Sequence, residues 1–291
     1  MKSLRPTTLT SVTTMLLTLL LGIQPATAAP GDKLTTPPPT LTNPQTIDLT
    51  NTTSTITLAK NKDYILQLPK TTWNNPNGLT VTGGRNIIII GGTVNVGEGT
   101  TCPKADYSCP PTLMMKRAAY FKDQTGTIHL EGVKFYSNTG TLTEGINISA
   151  PQAKAIIQNI KIASTITGTD ATNHGDCLQT WNGPHSLRID GFTCITAYQG
   201  ILLHPHDVWN GAKLTKDWQL KNVSIQGTST AKHLLLKYRS LPFNIPTQNV
   251  YTFGGLGNYR GSIDWPTVTR TRPPIDLTST AGSNYQTPGY L

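Results

Sequence analysis

Four pairs of apolar residues, Leu79 and Ile90, Ala119 and Leu130, Ile146 and Ile157, and Leu178 and Ile189, each stand eleven positions apart. The pairs recur at roughly thirty-residue intervals along the chain. A fifth unit, Ile201 and Leu220, carries an insertion between its members, and Leu234 opens a sixth. Each unit is too small to bury its own apolar face, so the units must stack on one another. The segments within a unit are short, alternate apolar with polar residues, and are punctuated by glycine, of which the chain holds 26. No stretch carries the 3.6-residue periodicity of an amphipathic helix. The tight two-residue hairpin turns of an antiparallel sandwich are mostly missing as well. The expected fold is all-β: a right-handed parallel β-helix, a single-chain solenoid with two or three strands per winding, loop insertions and an irregular tail.

Four regions follow from this pattern. Residues 1–28 read as an export signal: Lys2 and Arg5 lead, Met15 to Ile23 is apolar but short for a bilayer span, and Ala26-Thr27-Ala28 suits cleavage after Ala28. Residues 29–45 form a Pro/Thr-rich lead-in, 46–240 the β-helix, and 241–291 an irregular tail that packs along or caps the stack. The address is therefore secreted, extracellular or periplasmic, with no membrane association once the signal is removed. A monomer is expected. Four cysteines in an exported chain suggest two disulfides. Three pairings are possible, and proximity favours Cys102 with Cys109 and Cys177 with Cys194. No CxxC or HxxxH spacing supports a metal, and no carboxylate cluster is rich enough for calcium, so no cofactor is expected.

The formal charge of +9 falls by two when Lys2 and Arg5 leave with the signal. An excess of cations on an exported chain suits an acidic polysaccharide. Nucleic acid is not expected, since no Lys/Arg run or recognition helix occurs.

Thr167 to Asp207 holds two of the four cysteines and four of the six histidines. Side chains alternate along a strand. With Ile146, Leu178, Ile201 and Leu234 inward, one outward row is Tyr120, Asn147, Gln179, Leu202 and Leu235. The next is Lys122, Ser149, Trp181, His204 and Lys237. Parallel neighbours lie about 4.8 Å apart, so Trp181, His204 and Lys237 are expected to span roughly 10 Å, about two sugar units. Trp181, Gln179, Tyr198 and Asp207 are the expected substrate contacts: an aromatic face for a sugar ring, and polar groups for its hydroxyls. His204 or His206 is the expected base, with Lys237 or Arg239 neutralising a uronate carboxylate. His174 and Asp176, just before the strand CLQTW, complete the candidate catalytic set.

The stretch GLTVTGGRNIIIIGG resembles an N-terminal coil of the pectin-lyase-like superfamily of parallel β-helices. HGDCLQTW followed by FTCITAYQG is similar to the polygalacturonase-type glycoside hydrolases, whose motifs are Asp-Asp-Cys, a second cysteine, Gly-His-Gly and Arg-Ile-Lys. Asp176 matches the second aspartate of that pair, and the likeness includes a Cys177–Cys194 bridge. Gly175 stands where the first aspartate belongs, Gln199 stands in place of the histidine, and Lys237-Tyr238-Arg239 echoes the last motif. Pro205-His206-Asp207 resembles the Asp-Pro-His-Asp signature of alginate C5-epimerases, with His204 replacing its first aspartate. The resemblance implies a carbohydrate-active protein on a uronic-acid polysaccharide, foremost a lyase or epimerase. A non-catalytic glycan-binding β-helix and a hydrolase pairing Asp176 with Asp170, Asp190 or Asp207 are the alternatives.

Overall fold

Leu79, Ala119, Ile146, Leu178 and Ile201 do lie in one register across five neighbouring parallel strands. All five are fully buried. The computed structural model describes residues 36–53, 55–97, 116–169, 172–204, 217–237, 245–255 and 268–286. The expected export signal, residues 29–35 of the lead-in, Cys102, Cys109, Asp170, His206, Asp207 and Arg239 lie outside the described residues.

Every regular element among the described residues is a strand. Every strand pair is parallel. The strands make a 13-stranded and a 7-stranded sheet. In the smaller sheet, strands Ile56–Leu58, Leu79–Gly83, Arg117–Lys122, Glu144–Ser149, Asp176–Asn182, Gln199–Leu203 and His233–Lys237 follow one another in chain order. Between successive members the chain visits the larger sheet, so each winding contributes to both, as in a parallel solenoid. No helix of the described residues is long and apolar enough to cross a membrane.

Two expected positions are off by one. Ile89, not Ile90, pairs with Leu130, while Ile90 faces Glu131. Leu235, not Leu234, pairs with Ile201. Both errors fall in unbroken apolar runs, Ile87–Ile90 and Leu234–Leu236, where alternation is lost and composition cannot set parity. Backbone bonds at the turn set it instead: Lys232 and His233 both donate to the Tyr198 carbonyl, at 2.9 and 3.2 Å.

The larger sheet is bent along a row of left-handed residues. Gly91, Gly132, Asn159, Gly191, Asn222 and Asn249 have φ between +50° and +77°. Each stands at the equivalent position of successive windings, fixed by the paired residues on either side. Glycine and asparagine are the residues that tolerate this conformation. The asparagines are also tied together: Asn249 Nδ2 donates to Asn222 Oδ1 at 3.0 Å, and Asn222 Nδ2 to Asp190 Oδ1 at 2.8 Å. The row divides each winding into two segments, with buried Leu130, Ile157, Ile189 and Leu220 before it and Ile160, Phe192, Val223 and Val250 after it. Each such side chain contributes roughly 1.5–3 kcal/mol by leaving water.

The parallel ladder runs past residue 240. Thr247–Gly254 pairs with Asp217–Gly227, and Val268–Thr269 pairs with Thr247–Gly254 in turn. The chain then lies back across the outer face of the larger sheet. Asp276 meets Lys161 at 2.6 Å, Asn159 Nδ2 donates to Thr280 Oγ1 at 2.7 Å, and Gly282 N donates to the Gly132 carbonyl at 2.9 Å. Tyr285 then donates its hydroxyl to Glu131, which also bonds His129 at 2.6 Å. This strap explains why His129 and Glu131, outward in register, are fully buried.

Candidate functional site

The outward face of the smaller sheet carries the first expected row in part. Asn147 pairs with Tyr120 and Gln179, and Gln179 with Leu202, as the spacing requires. Asn147 Nδ2 faces Gln179 Oε1 at 3.4 Å. The row then continues to Leu236 instead of Leu235.

The second row is broken in two places. Ser149 still pairs with Lys122, but a bulge after Ile148 sets it opposite Asn182 instead of Trp181. Lys237 pairs with Leu203, one residue short of His204, because its strand is shifted with Leu235. The expected line of Trp181, His204 and Lys237 therefore does not form as drawn. Trp181 and His204 do remain adjacent. They follow the paired residues Thr180 and Leu203. Thr180 Oγ1 accepts from His204 N at 2.7 Å and donates to His204 O at 3.2 Å, which fixes the backbone where the insertion begins. Trp181 is 48% exposed, one of two large apolar side chains on the surface of the described residues.

A second group sits at the start of the same strands and faces the interior. Glu144 and Asp176 each stand two residues before the paired Ile146 and Leu178. They share inward parity, and both are buried, at 1% and 0% exposure. The Asp176 backbone N–H donates to Glu144 Oε1 at 3.0 Å. The row continues to Arg117 on one side, and to Gln199 and then His233 on the other. Neither carboxyl oxygen of Asp176 has a hydrogen-bond partner among the described residues, nor does Gln199 Oε1.

Burial disfavours charge at both carboxyls. It lifts Glu144 to about 8, against the opposing pull of the Asp176 N–H and the Arg117 charge. It lifts Asp176 well above the ordinary carboxylate range, with the neighbouring Glu144 charge adding to the effect. At neutral pH this pair holds protons that exposed carboxyls would have released.

His174 and Tyr198 close the corner. Their ring centroids are 5.4 Å apart, and Tyr198 meets His233 edge-on at 6.5 Å. Tyr198 is only 2% exposed, so it packs between the imidazoles and offers no face to a polymer. His174 is exposed. Cys177 and Cys194 are disulfide-bonded with Cα atoms 6.2 Å apart, pinning the strand that carries Asp176 to the larger sheet. The alternative acid Asp190 lies on the larger sheet, held by Arg188 at 3.0 Å and Asn222 at 2.8 Å. It precedes Gly191 of the left-handed row and is not part of the corner.

The structure thus sorts the candidates into two sets. Gln179, Trp181 and His204 share the outward parity, whereas Lys237, expected beside them, is in register with the inward Leu203. His174, Asp176 and Tyr198 share the corner beneath it, together with Glu144, which sequence reading missed. Glu144 had a usable signal, since aligning Ile146 with Leu178 also aligns Glu144 with Asp176. A general acid must come within hydrogen-bond reach of the atom it protonates. Asp176 and Glu144, buried and inward, do not meet a polymer on this surface. Comparison with protein-family models, with curated proteins and with solved structures finds no match for this chain.

Proposed function

We propose that this chain is an exported right-handed parallel β-helix protein, of the pectin-lyase-like kind, acting on an acidic polysaccharide as a lyase or epimerase. The observation that carries this reading is the exposed Trp181 beside His204 on a parallel sheet, with the half-buried amide of Gln179 on the same face. An aromatic face can lie against a sugar ring, and amides can bond its hydroxyls. Removing the proton next to a uronate carboxylate needs a base and a cation. His204 or His206 supplies the first and Arg239 the second, since Lys237 is in register with the inward Leu203. The Cys177–Cys194 bridge supports an oxidising compartment.

Incubation with polygalacturonate, alginate and glycosaminoglycans tests the reading. Ultraviolet-absorbing unsaturated ends or altered uronate composition, lost in His204→Ala, are expected. Native protein that changes none of these polymers contradicts it.

A second reading, non-catalytic glycan binding through the same face, is favoured by one observation: Lys237 is out of line with His204. It expects polymer binding that survives His204→Ala with no product formed. Hydrolysis through Asp176 draws no support from a carboxyl that is fully buried.

A further inference from the structure

The returning strap leaves a groove against the larger sheet, on a different sheet from Trp181. Its volume is about 410 Å³, and it is lined by Thr93, Lys134 and the strap residues Ser279 to Gln286. That volume falls within the roughly 300–1,000 Å³ usual for small-molecule sites. The strap runs over an outward row in which Thr93 pairs with Lys134, Lys134 with Lys161, and Lys161 with Thr193.

The strap engages three members of that row. Ser283 N donates to Thr93 Oγ1 at 2.9 Å, Lys161 meets Asp276 at 2.6 Å, and Thr193 bonds Thr278 at 2.5 Å. Lys134 is different. Its ammonium lies 5.8 Å from the Tyr136 ring, and no carboxylate pairs with it among the described residues. Among the described residues it is the only charged one lining the groove; hydroxyl and amide groups come chiefly from Ser279, Asn284 and Gln286.

We infer that this groove binds a small carboxylated sugar, a hexuronate. Lys134 takes the carboxylate, and the strap's hydroxyls and amides take the ring hydroxyls. A cation supplies attraction, and fixed polar groups supply selection. The bound sugar bridges strap and sheet, so it stabilises the folded chain by mass action. The inference does not depend on chemistry at His204.

Titration of the full chain with galacturonate, and with galactose as its neutral counterpart, tests it by calorimetry and amide chemical shifts. Saturable binding of galacturonate is expected, with shifts that include residues 279–286 and Lys134. Galactose and Lys134→Gln should each bind at least tenfold more weakly. Lys134→Arg should retain binding. Equal uptake of galactose, unaltered affinity in Lys134→Gln, or no galacturonate binding overturns the inference. If Lys134→Gln fails to fold, the location of the shifts in the native chain decides. Galacturonate shifts that spare residues 279–286 and Lys134 would assign the sugar elsewhere and overturn this site alone.

Discussion

The Asp176 backbone N–H donates to the Glu144 carboxyl at 3.0 Å, which ties the strand carrying Asp176 to the preceding winding between two fully buried carboxyls. Parallel strands lie about 4.8 Å apart, so two charges here would repel strongly in a medium with little water to screen them. Protonation is what makes the arrangement compatible with the fold.

The pair makes stability pH-dependent with a definite sign. Both folded-state pKa values lie above those of unfolded carboxyls. The folded chain therefore binds more protons than the unfolded chain once pH exceeds about 4. Stability contributed by the pair is fully present below that pH and declines as pH rises through Glu144's value of about 8. The slope is at most about 1.4 kcal/mol per pH unit for each proton held. Thermal melts between pH 4 and 9 should show Tm falling in the native chain, and Glu144→Gln should flatten that fall. A native Tm that rises across this range, or equal slopes in both proteins, contradicts the assignment.

Asp63 behaves oppositely. Its carboxylate accepts from Arg85 Nε and Nη2 at 2.7 and 2.8 Å, from Thr42 N at 2.6 Å and from Asn86 Nδ2 at 3.0 Å. The Arg85 bond, above the rest, lowers its pKa to about 2 despite burial. Its contribution is present above the unfolded value near 4 and is lost as pH falls through about 2. Arg85→Gln should cost roughly 1–3 kcal/mol at neutral pH, measured by urea unfolding, and less in acid. The same cost at pH 2 as at pH 7 would remove the charge argument.

The left-handed row offers a purely conformational test. A Cβ on Gly132 would lie 2.3 Å from the Tyr285 ring, on a backbone with φ +69°. Gly132→Ala should therefore destabilise by more than 1 kcal/mol and loosen the strap, seen as faster amide exchange at residues 280–285. Asn222→Gly keeps the backbone conformation but loses two amide bonds, and should cost roughly 1–2 kcal/mol. Asn222→Val should cost more, because a β-branched residue resists φ +52°. Equal losses for Gly and Val would show that φ is not what selects asparagine there.

Much of this architecture was legible from spacing. The eleven-residue pairs aligned Leu79 through Ile201 correctly, because Leu79 and Ile146 each stand between a glycine and a polar residue and leave one parity. Spacing failed at Ile87–Ile90 and Leu234–Leu236, where every position is apolar and backbone bonds at the turns choose the register. The second failure moved Lys237 away from His204 and so altered the candidate site. The bulge after Ile148, which separates Ser149 from Trp181, has no side-chain signature. The left-handed row was readable but unread: Glu131-Gly132, Gln158-Asn159, Asp190-Gly191, Lys221-Asn222 and Gln248-Asn249 repeat a polar residue before glycine or asparagine. Tyr198 carried no sign of its burial, since aromatic rings serve surfaces and corners equally well.

The most direct test is the affinity of the full chain for polygalacturonate and alginate, compared with that of Trp181→Ala under matched salt. Trp181 lies exposed on the sheet face, so its removal should leave Tm unchanged while weakening binding at least tenfold. Binding equal to that of the native chain, or no binding of either polymer by the native chain, would contradict a glycan-handling face on the smaller sheet.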